Sequence, residues 1–211
     1  MAETNNRGLE LNAWFLAARP RTLPAAVAPV LVGSALAYHD AAFSWPPAAA
    51  ALLVALLLQI GVNLANDYFD YIKGIDTEQR LGPVRVTQSG LMAPEKVKAG
   101  MLTVLGLSLV PGIYLTIIGG WPVLAAGVAA VISALAYSGG PLPLASNGLG
   151  DIFVFIFFGL VAVCGTYYVQ AGTITITSVA MAGMVGMLIT AILVVNNLRD
   201  IDTDRSAGKH T

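Results

Sequence analysis

The stretch Ala99–Gly150, AGMLTVLGLSLVPGIYLTIIGGWPVLAAGVAAVISALAYSGGPLPLASNGLG, contains no charged residue in 52 positions. A helix needs about 20 predominantly apolar residues to cross a bilayer, so this stretch is long enough for two crossings. The sequence Gly119-Gly120-Trp121-Pro122 near its middle is typical of a turn. We therefore predict two membrane helices here, at about residues 99–118 and 122–137, joined by a tight connection.

The rest of the chain has the same apolar character. Hydrophobic residues make up 56% of the 211 residues and charged residues only 11%, whereas a soluble domain carries about 25% charged residues. Other uncharged stretches predict helices at about 22–38, 47–66, 152–170 and 176–197. The predicted fold is an all-α transmembrane protein, a polytopic bundle of six helices that forms one membrane domain over residues 1–211.

The basic residues indicate how this bundle is oriented. With six crossings and the N-terminus inside, all 11 Lys and Arg residues lie on the cytoplasmic side, in agreement with the positive-inside rule. His39 and Asp40 then lie on the opposite side. We predict a multi-pass protein of the cell (inner) membrane with a cytoplasmic N-terminus. The bilayer is its expected partner, and the net charge of −1 gives no indication of nucleic acid.

Two clusters of Asn and Asp follow long apolar segments and together hold six of the 12 acidic residues. The first reads NDYFDYIKGID at residues 66–76, and the second reads NNLRDIDTDR at residues 196–205. Six crossings place both clusters on the cytoplasmic face, where they could converge on one site. Charged groups are costly beside a membrane, which favours a functional role over a pair of solvated helix caps.

Carboxylates at two helix ends suit a divalent cation that binds a phosphorylated substrate, and Mg²⁺ is the predicted cofactor because it bridges carboxylates to phosphates. Residues four apart share one helix face, so Asn66 and Asp70 would form one polar stripe. Asn196, Asp200 and Asp204 would form a second. Asp70 and Asp200 are the candidate catalytic residues. The candidate metal-site residues are Asn66, Asp67, Asp70, Asp76, Asp200 and Asp204.

Basic residues interleaved with the acids are candidates for binding a diphosphate, because Arg binds phosphate in bidentate fashion and Lys as a point charge. These candidates are Lys73, Arg80, Arg85, Arg199, Arg205 and Lys209. The segment 80–90 is also rich in Gly and hydrogen-bond donors, as a loop that closes over phosphate would be. The alternative is that these cations serve only as topology signals. The candidate substrate-pocket residues are Asn63, Tyr137, Asn196 and Asn197.

The two clusters resemble the paired aspartate-rich motifs of the UbiA-type intramembrane aromatic prenyltransferases. The chain most resembles the menaquinone-pathway branch of that family, which uses 1,4-dihydroxy-2-naphthoate. Four further segments carry this closer resemblance: Arg80-Leu81-Gly82-Pro83, Thr87-Gln88-Ser89-Gly90, Gly139-Gly140-Pro141 and Ala207-Gly208-Lys209. Gly74 stands where the commoner spacing has another Asp, and Asp76 takes that place in the naphthoate branch.

The resemblance implies eight or nine transmembrane helices around a central cavity, with the aspartate motifs at its cytoplasmic mouth. It also implies Mg²⁺-dependent transfer of a polyprenyl group from polyprenyl diphosphate to dihydroxynaphthoate. Diphosphate and CO₂ would be lost, and demethylmenaquinone would be formed. The chain ends at Thr211, directly after the second motif. We therefore expect a C-terminally truncated chain that lacks the last two or three helices of the family.

Other functions are compatible with parts of the sequence. The acceptor could be another aromatic compound, either 4-hydroxybenzoate or homogentisate. The chain could also be a non-catalytic membrane fragment that binds a lipid diphosphate without transferring it. A cation channel or transporter is disfavoured, because it would place acids near the bilayer midplane, and residues 99–150 and 152–198 contain none.

Overall fold

The computed structural model of the protein describes residues 2–75 and 82–211, and these residues form a bundle of helices. The helices are α1 (Ala2–Ala18), α2 (Leu23–His39), α3 (Trp45–Ile72), α4 (Pro94–Gly119), α5 (Trp121–Ala136), α6 (Gly150–Ala171), α7 (Ile176–Arg199) and α8 (Ile201–Ser206). Short 3₁₀ turns lie at Pro20–Thr22 and Leu144–Ser146. The predicted all-α polytopic bundle is confirmed.

Five segments of the described chain are long and apolar enough to cross a membrane: Glu10–His39, Trp45–Ile72, Pro94–Gly119, Gly150–Ala171 and Ile176–Arg199. The sixth apolar helix, α5, has 16 residues, which is about 24 Å of helix. The hydrocarbon core is about 30 Å thick, so α5 is short for a full crossing. It ends just before Ser138-Gly139-Gly140-Pro141, a sequence that does not continue a helix.

Helix α3 extends beyond its predicted end at residue 66 and continues to Ile72. Pro46 and Pro47 lie in its first turn, where the missing N–H groups have no intrahelical acceptor. At its other end Asp67 and Asp70 are buried. Residues 66–72 of the first Asn/Asp cluster therefore lie within the last two turns of a membrane helix and not in a loop after it. We call this end of the bundle, with residues 66–73 and 196–209, the motif end.

Helix α1 precedes the first crossing predicted from the sequence, at residues 22–38, and was not itself predicted; its residues 10–18 belong to the apolar segment Glu10–His39. Its Ala13 and Ala17 are buried in a cluster that includes Leu64 of α3 and Val97 of α4. The chain turns sharply after α1 at Arg19, whose φ of 50° is in the left-handed region. Helix α1 thus packs against α3 and α4 next to the first cluster.

Helices α6 and α7 pack closely through glycine. A Cβ added to Gly159 would lie 2.7 Å from Cα of Gly186 and 2.8 Å from the carbonyl oxygen of Ala182. Small residues at a membrane helix interface permit this close approach. The middle of α6, from Phe155 to Cys164, has π-helical geometry. The contact fixes the two helices antiparallel, with the start of α6 near the end of α7.

Polar side chains join the helices at the opposite end of the bundle. The Tyr167 hydroxyl donates to Oδ2 of Asp40 at 2.6 Å. The backbone N–H of Ser44 donates to Oε1 of Gln170 at 3.2 Å, and Nε2 of Gln170 donates to Oγ of Ser34 at 3.3 Å. These contacts connect α2 and the start of α3 to the end of α6.

Candidate active site at the motif end

Asp67 attaches the segment after the first cluster to helix α3. Its Oδ2 accepts a hydrogen bond from the N–H of Val86 at 2.9 Å. Its Oδ1 accepts from the N–H of Thr87 at 3.1 Å and also from the Thr87 hydroxyl. Asp67 and Val86 are fully buried, so these donors take the place of water around the carboxylate. This carboxylate holds a loop in place, and its role as a metal ligand stays a prediction.

Asp70 lies one turn further along α3 and contacts two cations. Nη2 of Arg85 is 2.8 Å from its Oδ2, and both side chains are buried. Nζ of Lys209 is 3.7 Å from the same oxygen. The sequence suggested Arg85 and Lys209 as diphosphate ligands, and in this structure both contact a carboxylate of the first cluster.

The second cluster spans a small break between α7 and α8 at Asp200. The N–H of Asp200 donates to the carbonyl of Asn196 at 3.1 Å, and the N–H of Asp204 donates to the carbonyl of Asp200 at 2.8 Å. The helical i, i+4 spacing therefore continues through the break, as the predicted polar stripe requires. Arg199 binds Asp200 with two hydrogen bonds, of 2.8 and 2.7 Å.

Lys209 brings the two clusters together. Its Nζ lies 3.7 Å from Oδ2 of Asp70 and 4.0 Å from Oδ1 of Asp204. The surrounding tail is held by a hydrogen bond from the N–H of His210 to the carbonyl of Ser146, at 3.0 Å. Carboxylates that are 134 positions apart in the sequence thus face one ammonium group at the same end of the bundle.

The donor set at this position fits Mg²⁺. Mg²⁺ usually takes one or two carboxylates and completes its shell with water and substrate phosphate. Asp70 and Asp204 supply two carboxylates that already share a cation, Lys209. Within residues 2–75 and 82–211, no group of three or more His, Cys, Asp or Glu side chains is close enough to hold a metal ion. The remaining ligands would therefore be amide oxygens, water and phosphate.

Lys73 and Asn66 fasten the loop after α5 to the first cluster. Nζ of Lys73 donates to the carbonyls of Ser138 at 2.7 Å and Gly140 at 3.1 Å. The Ser138 hydroxyl donates to Oδ1 of Asn66 at 2.7 Å. Burial lowers the pKa of the Lys73 ammonium, while the nearby Asp70 carboxylate opposes that shift. The ammonium predicted to bind diphosphate is engaged with backbone carbonyls.

Tyr137 lies at the start of this loop and close to the base of α6. Its hydroxyl is 3.3 Å from the position that a Cβ on Gly150 would occupy. Burial raises the pKa of Tyr137 to about 12, and the carboxylates of Asp151 and Asp70 contribute to the rise. At neutral pH the hydroxyl is therefore protonated and can donate a hydrogen bond.

Asn63, a candidate pocket residue, joins α3 to the turn between α1 and α2. Its Nδ2 donates to the carbonyl of Ala18 and to Oγ1 of Thr22, both at 2.9 Å. Nε2 of Gln59 donates to the same Thr22 oxygen at 3.1 Å. These contacts give Asn63 a structural role, and its place in a substrate pocket stays a prediction.

The remaining candidates differ in how well the structure places them. Asn196 and Asn197 are half-buried near the end of α7, whereas Arg205 is exposed on α8. Asp76 and Arg80 lie outside the described residues. The sequence reasoning missed two hydroxyl residues of the site, Thr87 on Asp67 and Ser138 on Asn66. Their location in loops rich in Gly and donors was the available signal.

Apolar helices that carry paired aspartate clusters and interleaved cations at one end define a class of protein, a polytopic membrane protein with a charged site at one end of its bundle. Comparison with known proteins is more specific. The model of the UbiA prenyltransferase family matches residues 26–211. The chain therefore belongs to the UbiA prenyltransferase family, and the resemblance noted from the motifs is confirmed.

Several curated relatives carry a more specific name. The 1,4-dihydroxy-2-naphthoate octaprenyltransferase of Mycobacterium tuberculosis is 44% identical over 198 residues, which cover 94% of this chain and 68% of the relative. The protein of the same name from Escherichia coli is 40% identical over 207 residues, covering 94% of this chain and 67% of the relative. The UbiA prenyltransferase domain-containing protein 1 of Gallus gallus is 32% identical over 209 residues, which cover 93% of this chain and 59% of the relative.

Proposed function

We propose that this protein transfers a polyprenyl group from polyprenyl diphosphate to 1,4-dihydroxy-2-naphthoate, with loss of diphosphate and CO₂, giving demethylmenaquinone. The names of the bacterial relatives support the acceptor. The observation that carries the proposal is the shared contact of Asp70 and Asp204 with Lys209, because it brings both aspartate clusters to one point. A site that contains carboxylates and cations in close contact suits a metal-bound diphosphate.

The residues of the motif end account for departure of the diphosphate. When bound, Mg²⁺ would supply positive charge to the diphosphate oxygens, with Asp70 and Asp204 as its protein ligands. Asp200, which is paired with Arg199, stays a candidate from the sequence. Lys209 lies between two of these carboxylates, and Arg205 is exposed nearby on α8. Cations at the leaving group stabilise the charge that develops as the allylic C–O bond breaks.

The apolar helices account for the fate of the allylic cation. Their walls hold the isoprenoid chain and keep water away from the cation. The dihydroxynaphthoate ring is electron-rich, and its carbon that bears the carboxylate attacks the allylic cation. Loss of CO₂ then restores the aromatic ring, so the carboxyl group leaves in place of a proton. The Tyr137 hydroxyl, which remains protonated at neutral pH, can donate to an oxygen of either substrate.

The location of the reaction follows from the charge distribution. We propose that the motif end faces the cytoplasm of a multi-pass protein of the inner membrane. All 11 Lys and Arg residues fall on that side when the six apolar helices alternate in direction. Labelling of single cysteines introduced at residue 205 and at residue 43 of a Cys164→Ala variant, with a reagent that does not cross the membrane, tests this orientation.

A direct assay tests the function. Membranes that contain the protein are incubated with octaprenyl diphosphate and 1,4-dihydroxy-2-naphthoate, with Mg²⁺ or with excess EDTA. We expect prenylated product with Mg²⁺ only, and loss of at least about 100-fold in turnover for Asp70→Asn and for Asp200→Asn. Glu95→Gln, an exposed acid at the start of α4, is the matched control and should retain turnover. Normal turnover of both Asp variants would contradict the proposal.

The same assay separates the alternatives. Turnover with 4-hydroxybenzoate or homogentisate, and none with dihydroxynaphthoate, would reassign the acceptor. Binding of octaprenyl diphosphate without product from any acceptor would indicate a non-catalytic chain. The contacts at Lys209 favour the transferase over a channel, because they place the described carboxylates of both clusters at one end of the bundle.

A further inference from the structure

Two buried oxygen atoms, one on α6 and one on α7, have no hydrogen-bond partner among the residues that the structure describes. Oδ1 of Asp151, in the first turn of α6, is buried and accepts no hydrogen bond from the described residues. Oγ1 of Thr190, on α7, is buried and unpartnered in the same way. Buried polar groups in folded proteins are almost always paired, and an exception in a native structure requires an explanation.

Both oxygens lie in the same part of the interface between helices α6 and α7. On the motif side, a Cβ on Gly150 would lie 3.7 Å from Cδ2 of Leu193. Deeper in the bundle, a Cβ on Gly186 would lie 2.9 Å from Cδ2 of Phe155. Because the two helices run antiparallel, the residues that carry the unpartnered oxygens lie between these two contacts.

Tyr137 connects this region to the aspartate clusters. Its hydroxyl lies 3.3 Å from the Cβ position of Gly150, next to Asp151. The charges of both Asp151 and Asp70 raise the pKa of the Tyr137 phenol, after burial, which has the larger effect. Tyr137 thus directly precedes Ser138, whose hydroxyl donates to Asn66 of the first cluster, and its own phenol lies beside Gly150, the residue before Asp151.

We propose that Asp151, together with Thr190 and Tyr137, binds the ring hydroxyl groups of the aromatic acceptor. The inference rests on the proposed function and names a subsite for its second substrate. A carboxylate oxygen that accepts no hydrogen bond from the protein can accept one from a ligand that carries an O–H group. A diphosphate has only acceptor oxygens and would be repelled by Asp151, and a polyprenyl chain has no polar group. The hydroxyls of Thr190 and Tyr137 can both donate to and accept from a phenol.

The competing explanation is that Asp151 stabilises α6 as an acid in its first turn, where it interacts favourably with the helix dipole. That role needs a negative charge near the helix start, and it does not need a carboxylate oxygen that is buried without a donor. The two explanations predict opposite effects on stability. Removing an unpartnered buried carboxylate should leave the melting temperature unchanged or raise it, whereas removing a helix-stabilising charge should lower it.

Equilibrium binding of two probes tests the subsite. The probes are 4-hydroxy-2-naphthoate and 2-naphthoate, which differ only in a ring hydroxyl that lies meta to the carboxylate and is therefore free to donate. We expect the wild-type protein to bind the hydroxylated probe at least about tenfold more tightly, the usual strength of a hydrogen bond to a charged group. Asp151→Leu should bring this ratio close to one without lowering the melting temperature, and Asp151→Asn and Thr190→Val should give intermediate ratios.

Glu95→Gln is the matched control, since Glu95 is an exposed acid in the first turn of α4. It should keep the wild-type ratio. An unchanged ratio of the two affinities in Asp151→Leu would overturn the inference, whether or not that variant binds octaprenyl diphosphate more weakly. The probes report binding without turnover. Absence of product from any aromatic acceptor would therefore reject the proposed function alone, while the ratio would still decide the subsite.

Discussion

Arg85 and Asp70 form an ion pair of 2.8 Å in which the side chains are only 4% and 6% exposed. The sequence assigned one partner to the diphosphate and the other to the metal, and the structure joins them. Two buried opposite charges compensate each other, whereas either one alone would be left in an environment of low polarity. The pair therefore positions Asp70 at the motif end and ties the segment after residue 82 to helix α3.

We expect Arg85→Met to lower the free energy of unfolding by about 3–5 kcal/mol, because it leaves the Asp70 carboxylate without its closest cation. Thermal denaturation in detergent measures the loss. The exposed pair of Lys96 and Glu10, at 2.7 Å, offers the control, since Lys96→Met should cost less than about 1 kcal/mol. Equal losses in the two variants would show that burial of the Arg85 pair is not important for stability.

Asp67→Ala should destabilise the protein more than Asp67→Asn. Alanine leaves the N–H groups of Val86 and Thr87 without an acceptor, at about 1–3 kcal/mol each, while asparagine keeps one acceptor oxygen. Melting temperatures of the two variants, with Asp202→Ala on the exposed face of α8 as control, measure the difference. If Asp67→Ala melts like the wild type, Asp67 does not hold the 85–87 segment.

Lys209→Met should make the protein more dependent on Mg²⁺. Without the ammonium, Asp70 and Asp204 lose their shared cation, so a divalent ion should bind more tightly and stabilise more. A ligand at about 100 times its dissociation constant stabilises the folded state by about 2.7 kcal/mol. Melting temperature is followed as MgCl₂ is added, with NaCl at equal ionic strength as control. The same Mg²⁺ response in variant and wild type would argue against metal binding between these carboxylates.

Gly159→Val should disrupt the α6–α7 contact. The new Cβ would lie 2.7 Å from Cα of Gly186 and 2.8 Å from the carbonyl of Ala182, and these backbone atoms cannot move aside cheaply. Overpacking of this kind typically costs about 1–3 kcal/mol. Gly165→Val is the control on the same helix, because a Cβ there would meet nothing within 4 Å. Thermal stability should fall in the first variant and change little in the second.

Stability should depend on pH through Asp40. The Tyr167 hydroxyl and then His39 lower the pKa of this carboxyl below its ordinary value of 3.8. A carboxyl with a lowered folded-state pKa stabilises the protein at pH values above 3.8, and that stabilisation is lost as the pH falls through the lowered value. Melting temperatures of the wild type and Asp40→Asn between pH 7 and pH 3 should therefore converge towards the acidic end. A constant difference across this range would contradict the assignment.

The helical bundle could be predicted because an uncharged stretch of 20 residues has few alternatives to a membrane helix. The pairing of the clusters was also predictable, since an even number of crossings between residues 66 and 196 returns the chain to the same side. The sequence did not, however, predict which groups the charged side chains contact. Asp67 and Arg85 are 18 positions apart in sequence, and only the path of the loop decides that one binds backbone N–H groups and the other binds Asp70.

Helix α1 and the short α5 show a different limit. Helix α1 carries charged residues and lacks the length of apolar sequence that marks a crossing, so it gave no signal. Its burial depends on Ala13 and Ala17 meeting α3 and α4, which is a tertiary effect. The length of α5 depends on where the glycines after Tyr137 end the helix, and hydropathy locates such boundaries poorly.

The polar contacts of Asp40, Ser44 and Gln170 have a consequence for how the protein moves. They resist separation of α2, α3 and α6 at that end of the bundle. Contacts of Lys73, Arg85 and Lys209 join neighbouring segments at the motif end in the same way. An isoprenoid chain that enters between the helices would therefore have to part polar contacts at one end or the other, and loss of either set would loosen that end.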